Sequence, residues 1–374
     1  MSATPPIAFT TGPSQLHPLV ADELAAAASD GTLSDSHRSP RFRSQVARTV
    51  EALRALLDIP PDHRVLFCAS ASEAMERIVQ GTVRDRSLHL VNGAFARRFH
   101  RISQNLGFAA SAIERPDGEG YDADHPLPGI DAPGSEGPPQ LVAMTQNETS
   151  TGVRIRPDAI HALADRVRAA GALAAVDLVS GWPVEAVDPA RVDAGFFSIQ
   201  KAFGLPAGLG VIVASPALVE RSRALQTAGR SVGGYQHLPA LADAADGSQT
   251  VATPNMLGIR LLGRVAEDYL ERGIDAIRAE TDGKARALWD AIDDLPGLHP
   301  FVRGADADRI RSRTILVVET EPSADPVRAA LRDRGFLVSD GYGPWKGRQL
   351  RIANFPSHSP EAMEALIRAL RDSA

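Results

Sequence analysis

The sequence is poor in the features that mark several classes of protein. Its single cysteine, Cys68, excludes an intrachain disulfide and fits a reducing compartment. No apolar run reaches the ~18 residues that a membrane-spanning helix needs, and residues 1–10 lack the basic and apolar segments of a secretory signal. The net charge of -6 argues against nucleic-acid binding. These deficits predict a cytoplasmic protein with neither a membrane nor a nucleic-acid partner.

Lysine is the scarcest charged residue. Lys201, Lys284 and Lys346 are the only lysines among the 40 lysines and arginines. An arginine side chain stays protonated, whereas a lysine amine can lose its proton and form a Schiff base with a carbonyl. Lys201 follows the apolar run 195–199 and precedes a glycine-rich stretch at 202–210. We therefore regard Lys201 as a candidate nucleophile, with a solvated surface charge as the structural alternative.

Strands and helices alternate over about the first two-thirds of the sequence. Short apolar runs predict seven strands, and amphipathic segments such as Pro40–Asp58 predict helices between them. This order predicts an α/β fold with a mainly parallel seven-stranded sheet sandwiched by helices. The predicted strands are Val65–Cys68, Leu88–Val91, Ala110–Ile113, Leu141–Met144, Leu173–Val176, Phe196–Ile199 and Leu209–Val213.

The last third of the sequence has a different pattern. A long helical segment from Leu257 to Arg286 is followed by a predicted strand at Thr314–Val318, a helix at Pro326–Arg334 and a strand at Gln349–Ile352. Pro360–Arg371 is predicted to close the chain as a helix. We therefore expect residues 1–255 to form an N-terminal arm and a large domain, and residues 256–374 a smaller α+β domain.

Polar residues follow several predicted strands at their carboxyl ends, where folds of this kind bind ligands. A turn rich in serine stands at a predicted helix start, which favours an anion, although ordinary capping by serine explains it nearly as well. Polar turns and caps are likewise the structural alternatives for the other strand ends. The candidates at these ends are Ser70, Ala71, Ser72, Thr149, Asp177, Gln200 and Lys201.

Asp177 and Lys201 point to one chemistry. A carboxylate that keeps a pyridine nitrogen protonated makes the ring of pyridoxal 5'-phosphate (PLP) an electron sink, and a lysine amine is a nucleophile for its aldehyde. In this interpretation Thr149 donates to the phenolic oxygen of the ring and Phe95 stacks on it. The alternatives are a turn for Asp177 and Thr149, and a core position for Phe95.

Taken in order, these segments resemble the class V branch of the fold type I PLP-dependent aminotransferases. The resemblance covers nearly the whole chain and implies transamination with PLP and no metal ion. Alternatives left open are a desulfurase or lyase of the same fold, which Cys68 in a predicted buried strand disfavours, and a non-enzymatic binding protein. The segments that carry the resemblance are Phe9–Ser14, Ser36–Ser39, Ser72–Glu76, Asn147–Thr149, Asp177, Ser198–Lys201 and Arg351.

Within that branch the sequence is most similar to the phosphoserine aminotransferase family. The similarity implies that His37 and Arg38 reach a substrate phosphate from the partner subunit of a homodimer, and charge-assisted hydrogen bonds suit them to it. It also implies that Arg351 holds the substrate α-carboxylate and that Thr253 contacts the cofactor phosphate across the interface. The expected reaction is L-phosphoserine and 2-oxoglutarate to 3-phosphohydroxypyruvate and L-glutamate, in serine biosynthesis.

The sequence also departs from that family. The second histidine–arginine pair expected shortly before Arg351 is absent, and Gly341–Lys346 stands there, with Lys346 as a substitute phosphate contact. Phe95 stands where close relatives commonly carry a tryptophan. The alternative is therefore another class V aminotransferase, such as an alanine– or serine–glyoxylate or a phosphonate aminotransferase.

Overall fold

The computed structural model describes residues 5–132, 134 and 137–373. Residues 1–4 of the predicted arm and residue 374 of the predicted small domain lie outside them. Strands β1–β14 span Ile7–Phe9, Arg64–Cys68, Arg86–Val91, Ala109–Glu114, Leu141–Thr145, Asn147–Glu148, Val153–Arg154, Leu173–Asp177, Ala194–Ser198, Gly210–Ala214, Leu298–Pro300, Ile315–Thr320, Phe336–Asp340 and Gln349–Ala353. Helices α1–α12 span Val20–Ser29, Pro40–Leu57, Ala71–Thr82, Ala94–Asn105, Pro157–Ala169, Pro216–Thr227, Leu238–Asp246, Met256–Arg272, Ile274–Asp293, Ala307–Ile310, Asp325–Asp333 and Pro360–Arg371.

The large sheet has seven strands in the order β2-β10-β9-β8-β5-β3-β4. All of them run parallel except β10, which is antiparallel to both of its neighbours, β2 and β9. The predicted mainly parallel seven-stranded sheet is therefore confirmed, and each of the seven strand predictions overlaps an observed strand. The carboxyl ends of β2, β3, β5, β8 and β9 share one edge of the sheet, which is where the polar candidates lie.

Each face of this sheet carries its own apolar core. One core joins α2, α5 and α8 to alternate strand residues such as Phe197 and Val176. The other joins α3, α6 and α7 to the intervening residues, such as Phe196 and Ala175. Because successive side chains of a strand point to opposite faces, strands buried on both faces must be apolar throughout. That requirement explains why continuous apolar runs identified them in the sequence.

Several helices begin at a serine followed by proline. Ser39, Ser215 and Ser359 each cap a helix through the side-chain oxygen, which accepts the N–H of the residue three positions later, and proline occupies the first helical position. Proline at that position loses no intrahelical hydrogen bond and has a suitable φ, and the serine satisfies a free backbone donor. These pairs fix the starts of α2, α6 and α12.

The smaller sheet is mixed, in the order β1-β13-β14-β12-β11. Its core unites Phe9 of β1 with residues of α9, α12, β12 and β14. Strand β1 comes from the chain start, yet it pairs in parallel with β13, Ile7 opposite Phe336. This pairing carries the residues after β1 over the carboxyl edge of the large sheet.

The predicted boundary at 255/256 falls at the start of α8. The apolar side of α8, which includes Ile259 and Val265, nevertheless belongs to the core of the large sheet, and β1 belongs to the small sheet. The division of the chain into domains 1–255 and 256–374 stays a prediction. None of the helices in the described part of the chain has the length and hydropathy to span a bilayer.

Candidate active site

A cavity of about 210 Å³ lies at the carboxyl edge of the large sheet. It brings together eight residues that the sequence analysis singled out from separate segments of the chain. These are Ser70, Ala71, Ser72, Phe95, Thr149, Asp177, Gln200 and Lys201. Parallel strands place their ends side by side, so residues far apart in sequence meet there. We call this space the Lys201 cavity.

Lys201 is 8% exposed, and its amine donates a hydrogen bond to the carbonyl oxygen of Thr11. Burial, and to a smaller extent the nearby Arg351 guanidinium, lowers the pKa of Lys201 from its ordinary value of 10.5 to about 8. Asp177 acts in the opposite direction. Because a buried amine loses its charge more readily, Lys201 has a substantial neutral fraction near neutral pH, which a nucleophile or base requires.

Asp177 is the last residue of β8 and is 3% exposed. Its Oδ1 accepts the N–H of Val179 at 2.9 Å. Burial raises the pKa of Asp177 to about 7, and the charge of Glu148 adds to the rise, whereas the charge of Lys201 opposes it. A cation placed in the cavity beside this carboxylate favours its charged form, because opposite charges stabilise each other in a buried site.

The turn before α3 is held rigidly. The Ser70 hydroxyl accepts the N–H of Glu73 at 3.1 Å, and the Glu73 carboxylate accepts the N–H of Ala69 at 2.8 Å, a reciprocal capping box. Gly210 of β10 passes close beneath this turn, since a Cβ added there would lie 2.6 Å from the carbonyl carbon of Ser70. The helix start therefore faces the cavity in a fixed position, where its dipole and free N–H groups favour an anion.

A buried glutamate positions the start of α4. Glu148 is inaccessible to solvent, and its Oε2 accepts the N–H groups of Phe95 at 3.0 Å and Ala96 at 2.9 Å. Its other oxygen accepts the hydroxyl of Ser150 at 2.6 Å. Burial still raises the pKa of Glu148. This anchor fixes the Phe95 ring, whose centroid lies 5.9 Å from the Lys201 amine.

Thr149 follows Glu148 in the chain. Its hydroxyl donates to the Ser180 hydroxyl at 2.9 Å, so a hydrogen bond to a cofactor oxygen stays a prediction. The backbone carbonyl of Thr149 accepts from Nη1 of Arg351 at 3.3 Å, which connects the large sheet to the small one at this point.

Arg351 of β14 in the small sheet lies beside the cavity, close enough for its charge to act on Lys201. It is 9% exposed, its Nε donates to the Asp340 carbonyl at 2.8 Å, and its guanidinium lies 5.4 Å from the centroid of the Tyr342 ring. Burial lowers the pKa of Arg351. No carboxylate among the described residues forms an ion pair with it, so the guanidinium is available to an anionic ligand.

His37, Arg38 and Thr253 lie elsewhere, and none of them lines the Lys201 cavity of its own chain. Arg38 donates to Gln249 Oε1 at 2.8 Å and to the carbonyls of Thr250 and Val251 at 3.0 Å. Thr253 Oγ1 lies 3.1 Å from His37 Nδ1. We call these residues the His37 cluster. Two elements predicted to act across a subunit interface thus share one exposed surface.

Lys346 is exposed, and within the described part of the chain its amine makes no hydrogen bond or ion pair with a cavity residue, so its role as a phosphate contact stays a prediction. Tyr342, four positions earlier, is the residue of this segment that approaches the site. Cys68 is 5% exposed in β2, and burial raises the pKa of its thiol to about 12. The prediction of a buried cysteine is confirmed, and a thiol in this state is a poor nucleophile.

Several cavity residues were not singled out as site residues in the sequence analysis, although Gly12, Met75 and Ser198 lie in segments that carry the family resemblance. Gly12 has a φ of +137° beside the Lys201 amine, so a side chain there would be strained and would collide with the amine. Arg98 also lines the cavity, one helical turn after Phe95, a spacing that places two side chains on one helix face. The others are Met75, Val179 and Ser198.

Comparison with known proteins decides the family. The family model described as "Aminotransferase class-V" matches residues 8–368. This chain is a class V aminotransferase. The family resemblance inferred from the sequence is confirmed, and with it the assignment as a PLP-dependent enzyme.

Relatives of this aminotransferase agree over its full length. A phosphoserine aminotransferase of Nocardioides sp. is 30% identical over 97% of this chain and 94% of that protein. The crystal structure of a phosphoserine aminotransferase from Cytophaga hutchinsonii is 37% identical, with a TM-score of 0.92 over 98% of each chain. A pyridoxamine–pyruvate aminotransferase from Mesorhizobium loti is 21% identical with a TM-score of 0.85 over 100% of this chain and 93% of that one, and supports the fold alone.

The Lys201 cavity fits PLP in each of its parts. The Lys201 amine suits the aldehyde, and Asp177, whose hydrogen bond among the described residues comes from the Val179 N–H, has an oxygen free for a ring nitrogen. The capped start of α3 suits the phosphate, and Phe95 offers an aromatic face. The role of each residue stays a prediction.

Proposed function

We propose that this aminotransferase converts L-phosphoserine and 2-oxoglutarate to 3-phosphohydroxypyruvate and L-glutamate. The observation that carries the proposal is the 37% identity to the Cytophaga hutchinsonii phosphoserine aminotransferase over 98% of both chains. Phosphoserine aminotransferases of Nocardioides sp., Rhodococcus jostii and Rhodococcus opacus match over similar lengths at 27–30% identity.

The residues in and beside the cavity have separate roles in the proposed transamination. Bound PLP supplies an electron sink for the charge that develops when the substrate Cα loses its proton. Lys201 removes that proton, since its lowered pKa of about 8 leaves part of the amine neutral. Asp177 would keep the pyridine nitrogen of the cofactor protonated, and Arg351 would bind the substrate α-carboxylate as a fixed guanidinium fork.

The His37 cluster belongs to the partner's active site in this proposal. Within one chain Arg38 donates to Gln249 and to the backbone carbonyls of residues 250 and 251, and His37 lies beside Thr253. A cofactor-phosphate contact and a substrate-phosphate contact on one exposed surface suit a homodimer that shares its two sites across the interface. In a closed two-fold dimer the His37 cluster of each chain would lie at the Lys201 cavity of the other chain.

A screen of amino acids tests the reaction. The purified, PLP-loaded enzyme is mixed separately with L-phosphoserine, L-glutamate, L-alanine and L-serine, and the visible absorbance of the bound cofactor is followed with time. We expect phosphoserine and glutamate to convert the cofactor at least about tenfold more efficiently than alanine and serine, because each offers an additional charge-assisted contact. A faster reaction with alanine or serine would instead assign the enzyme to the glyoxylate-type aminotransferases.

A further inference from the structure

Arg98 occupies an unusual position for an arginine of this chain. It lies on α4 one turn after Phe95, and its side chain lines the Lys201 cavity. The guanidinium lies 4.9 Å from the centroid of the Phe95 ring. Its two terminal nitrogens donate to the hydroxyls of Ser72 and Tyr342, each at 3.3 Å. Neutral hydroxyl and aromatic groups therefore surround a permanent positive charge.

No carboxylate among the described residues forms an ion pair with Arg98. The preceding residue shows the contrast, because Arg97 of the same helix points away from the cavity and pairs with Glu114 at 3.2 Å. Most arginines of this chain are paired in the same way, including Arg77 with Glu73 at 3.3 Å. A half-buried cation without a counter-ion is costly unless an anion joins it.

A second unneutralised guanidinium stands close by. Arg351 approaches the Tyr342 ring to 5.4 Å from the small sheet, while Arg98 donates to the hydroxyl of the same tyrosine from the large sheet. Tyr342 thus separates two cations that come from different sheets. Besides Lys201, Arg98 is the only cationic side chain that lines the cavity in the described part of the chain.

We propose that Arg98 is a specificity-determining residue that binds the second anionic group of the substrate, with Tyr342 as its support. The inference rests on the proposed function, in which Arg351 takes the α-carboxylate. A substrate that fits both guanidiniums is an amino acid with a carboxylate or phosphate on its side chain. Glutamate and phosphoserine meet this description, and alanine and serine do not.

The nearest competing role for Arg98 is a contact with the cofactor phosphate, because Arg98 bonds to Ser72 at the start of α3. The two roles differ in what they change. A contact with the substrate side chain alters the ratio of activities on anionic and neutral amino acids. A contact with the cofactor alters PLP affinity and leaves that ratio unchanged.

The test compares Arg98→Gln with Arg97→Gln, which removes the neighbouring charge on the same helix but outside the cavity. For each enzyme, kcat/KM is measured for the half-reactions with glutamate, phosphoserine and alanine, and PLP dissociation is measured by titration of the apoenzyme. We expect Arg98→Gln to lower the glutamate-to-alanine and phosphoserine-to-alanine ratios about 10- to 100-fold, with PLP affinity within about twofold of the wild type. Arg97→Gln should keep the wild-type ratios.

Unchanged ratios in Arg98→Gln would overturn the inference, and weaker PLP binding with unchanged ratios would assign Arg98 to the cofactor. If Arg98→Gln does not fold, Tyr342→Phe decides, because loss of the supporting hydroxyl should lower the same ratios several-fold and unchanged ratios contradict the proposal. The proposed function can fail without the inference about Arg98 failing. If wild-type enzyme does not use phosphoserine, the glutamate-to-alanine ratio still decides the role of Arg98.

Discussion

The Lys201 cavity and the His37 cluster differ in how completely one chain builds them. The cavity is enclosed by strand ends of one sheet, it is buried, and burial moves the pKa values of Lys201 and Asp177 toward neutrality. The His37 cluster lies on the surface, where Arg38 donates to two backbone carbonyls and Thr253 lies against His37. One chain thus supplies the groups for proton transfer and Arg98, whereas we expect full recognition of the substrate phosphate to need His37 and Arg38 from a second chain as well.

The largest expected effect comes from Lys201→Ala. In the proposed function this change removes both the amine that holds the cofactor and the base that moves the proton, so we expect kcat to fall by at least about 10³-fold. The visible absorbance of the bound cofactor should also shift, because the covalent attachment is lost. Activity and absorption spectra of the purified variant measure both.

Lys284→Met is the matched control for Lys201→Ala. Lys284 is also buried, but its amine contacts the carbonyls of Phe355 and His358 and the Glu280 carboxylate, away from the cavity. We expect this variant to unfold at a lower temperature and to keep the cofactor absorbance. A Lys201→Ala enzyme with normal activity would contradict the assignment of the nucleophile.

Asp177→Asn should have the second largest effect. An amide keeps the shape of the side chain but cannot hold a protonated ring nitrogen by charge. Removal of one partner from a buried charge pair costs about 3–5 kcal/mol, so we expect kcat to fall roughly 10²- to 10³-fold. Steady-state kinetics at saturating PLP measure the change.

Asp193→Asn separates a charge effect in the cavity from a general effect of a buried aspartate. Asp193 is 1% exposed and accepts the N–H of Ala174 at 2.8 Å at the opposite end of the sheet. Its amide variant should lose thermal stability with kcat within a few-fold of the wild type. Equal losses of kcat in the two variants would remove the special role of Asp177.

The framework of the cavity was predictable because its determinants are local. Buried parallel strands must be apolar on both faces, and a serine–proline pair such as Ser359–Pro360 marks a helix start. Polar residues after those strands then had to meet at one edge, as Asp177 and Lys201 do.

The remaining parts of the site depend on contacts between distant segments. Strand β1 has three residues and pairs with β13 near the other end of the chain, so no local pattern places Thr11 over Lys201. Tyr342 and Arg351 come to lie beside the cavity only through packing of the small sheet. Arg98 had a local signal, the helical spacing from Phe95, but an arginine at such a spacing is more often a solvated surface charge.

Complementation between two variant chains tests whether the His37 cluster of one chain serves the Lys201 cavity of the other. The Arg38 change by itself should alter substrate preference about tenfold. Arg38→Ala alone should lower kcat/KM for phosphoserine about tenfold more than for alanine, through the loss of a charge-assisted hydrogen bond.

If Arg38 acts on the partner's site, a dimer of one Arg38→Ala chain and one Lys201→Ala chain contains one intact site. Unfolding and refolding an equal mixture should then restore about a quarter of wild-type activity on phosphoserine, by random pairing in a two-fold dimer. An Arg38 that serves its own cavity would give no recovery.

The smallest expected effect is on the pH dependence of PLP attachment, which involves only the Lys201 cavity. Burial sets the pKa of Lys201 to about 8, and only the neutral amine attacks an aldehyde. The rate at which apoenzyme recovers activity with added PLP should therefore rise as the pH passes upward through about 8. Arg351→Gln removes a positive charge that lowers the pKa of Lys201, so the midpoint should move to higher pH, whereas Arg38→Ala should leave it in place. A midpoint near 10.5, the ordinary value for lysine, would show that the amine is solvated in the apoenzyme and that the difference between the two regions does not lie in burial.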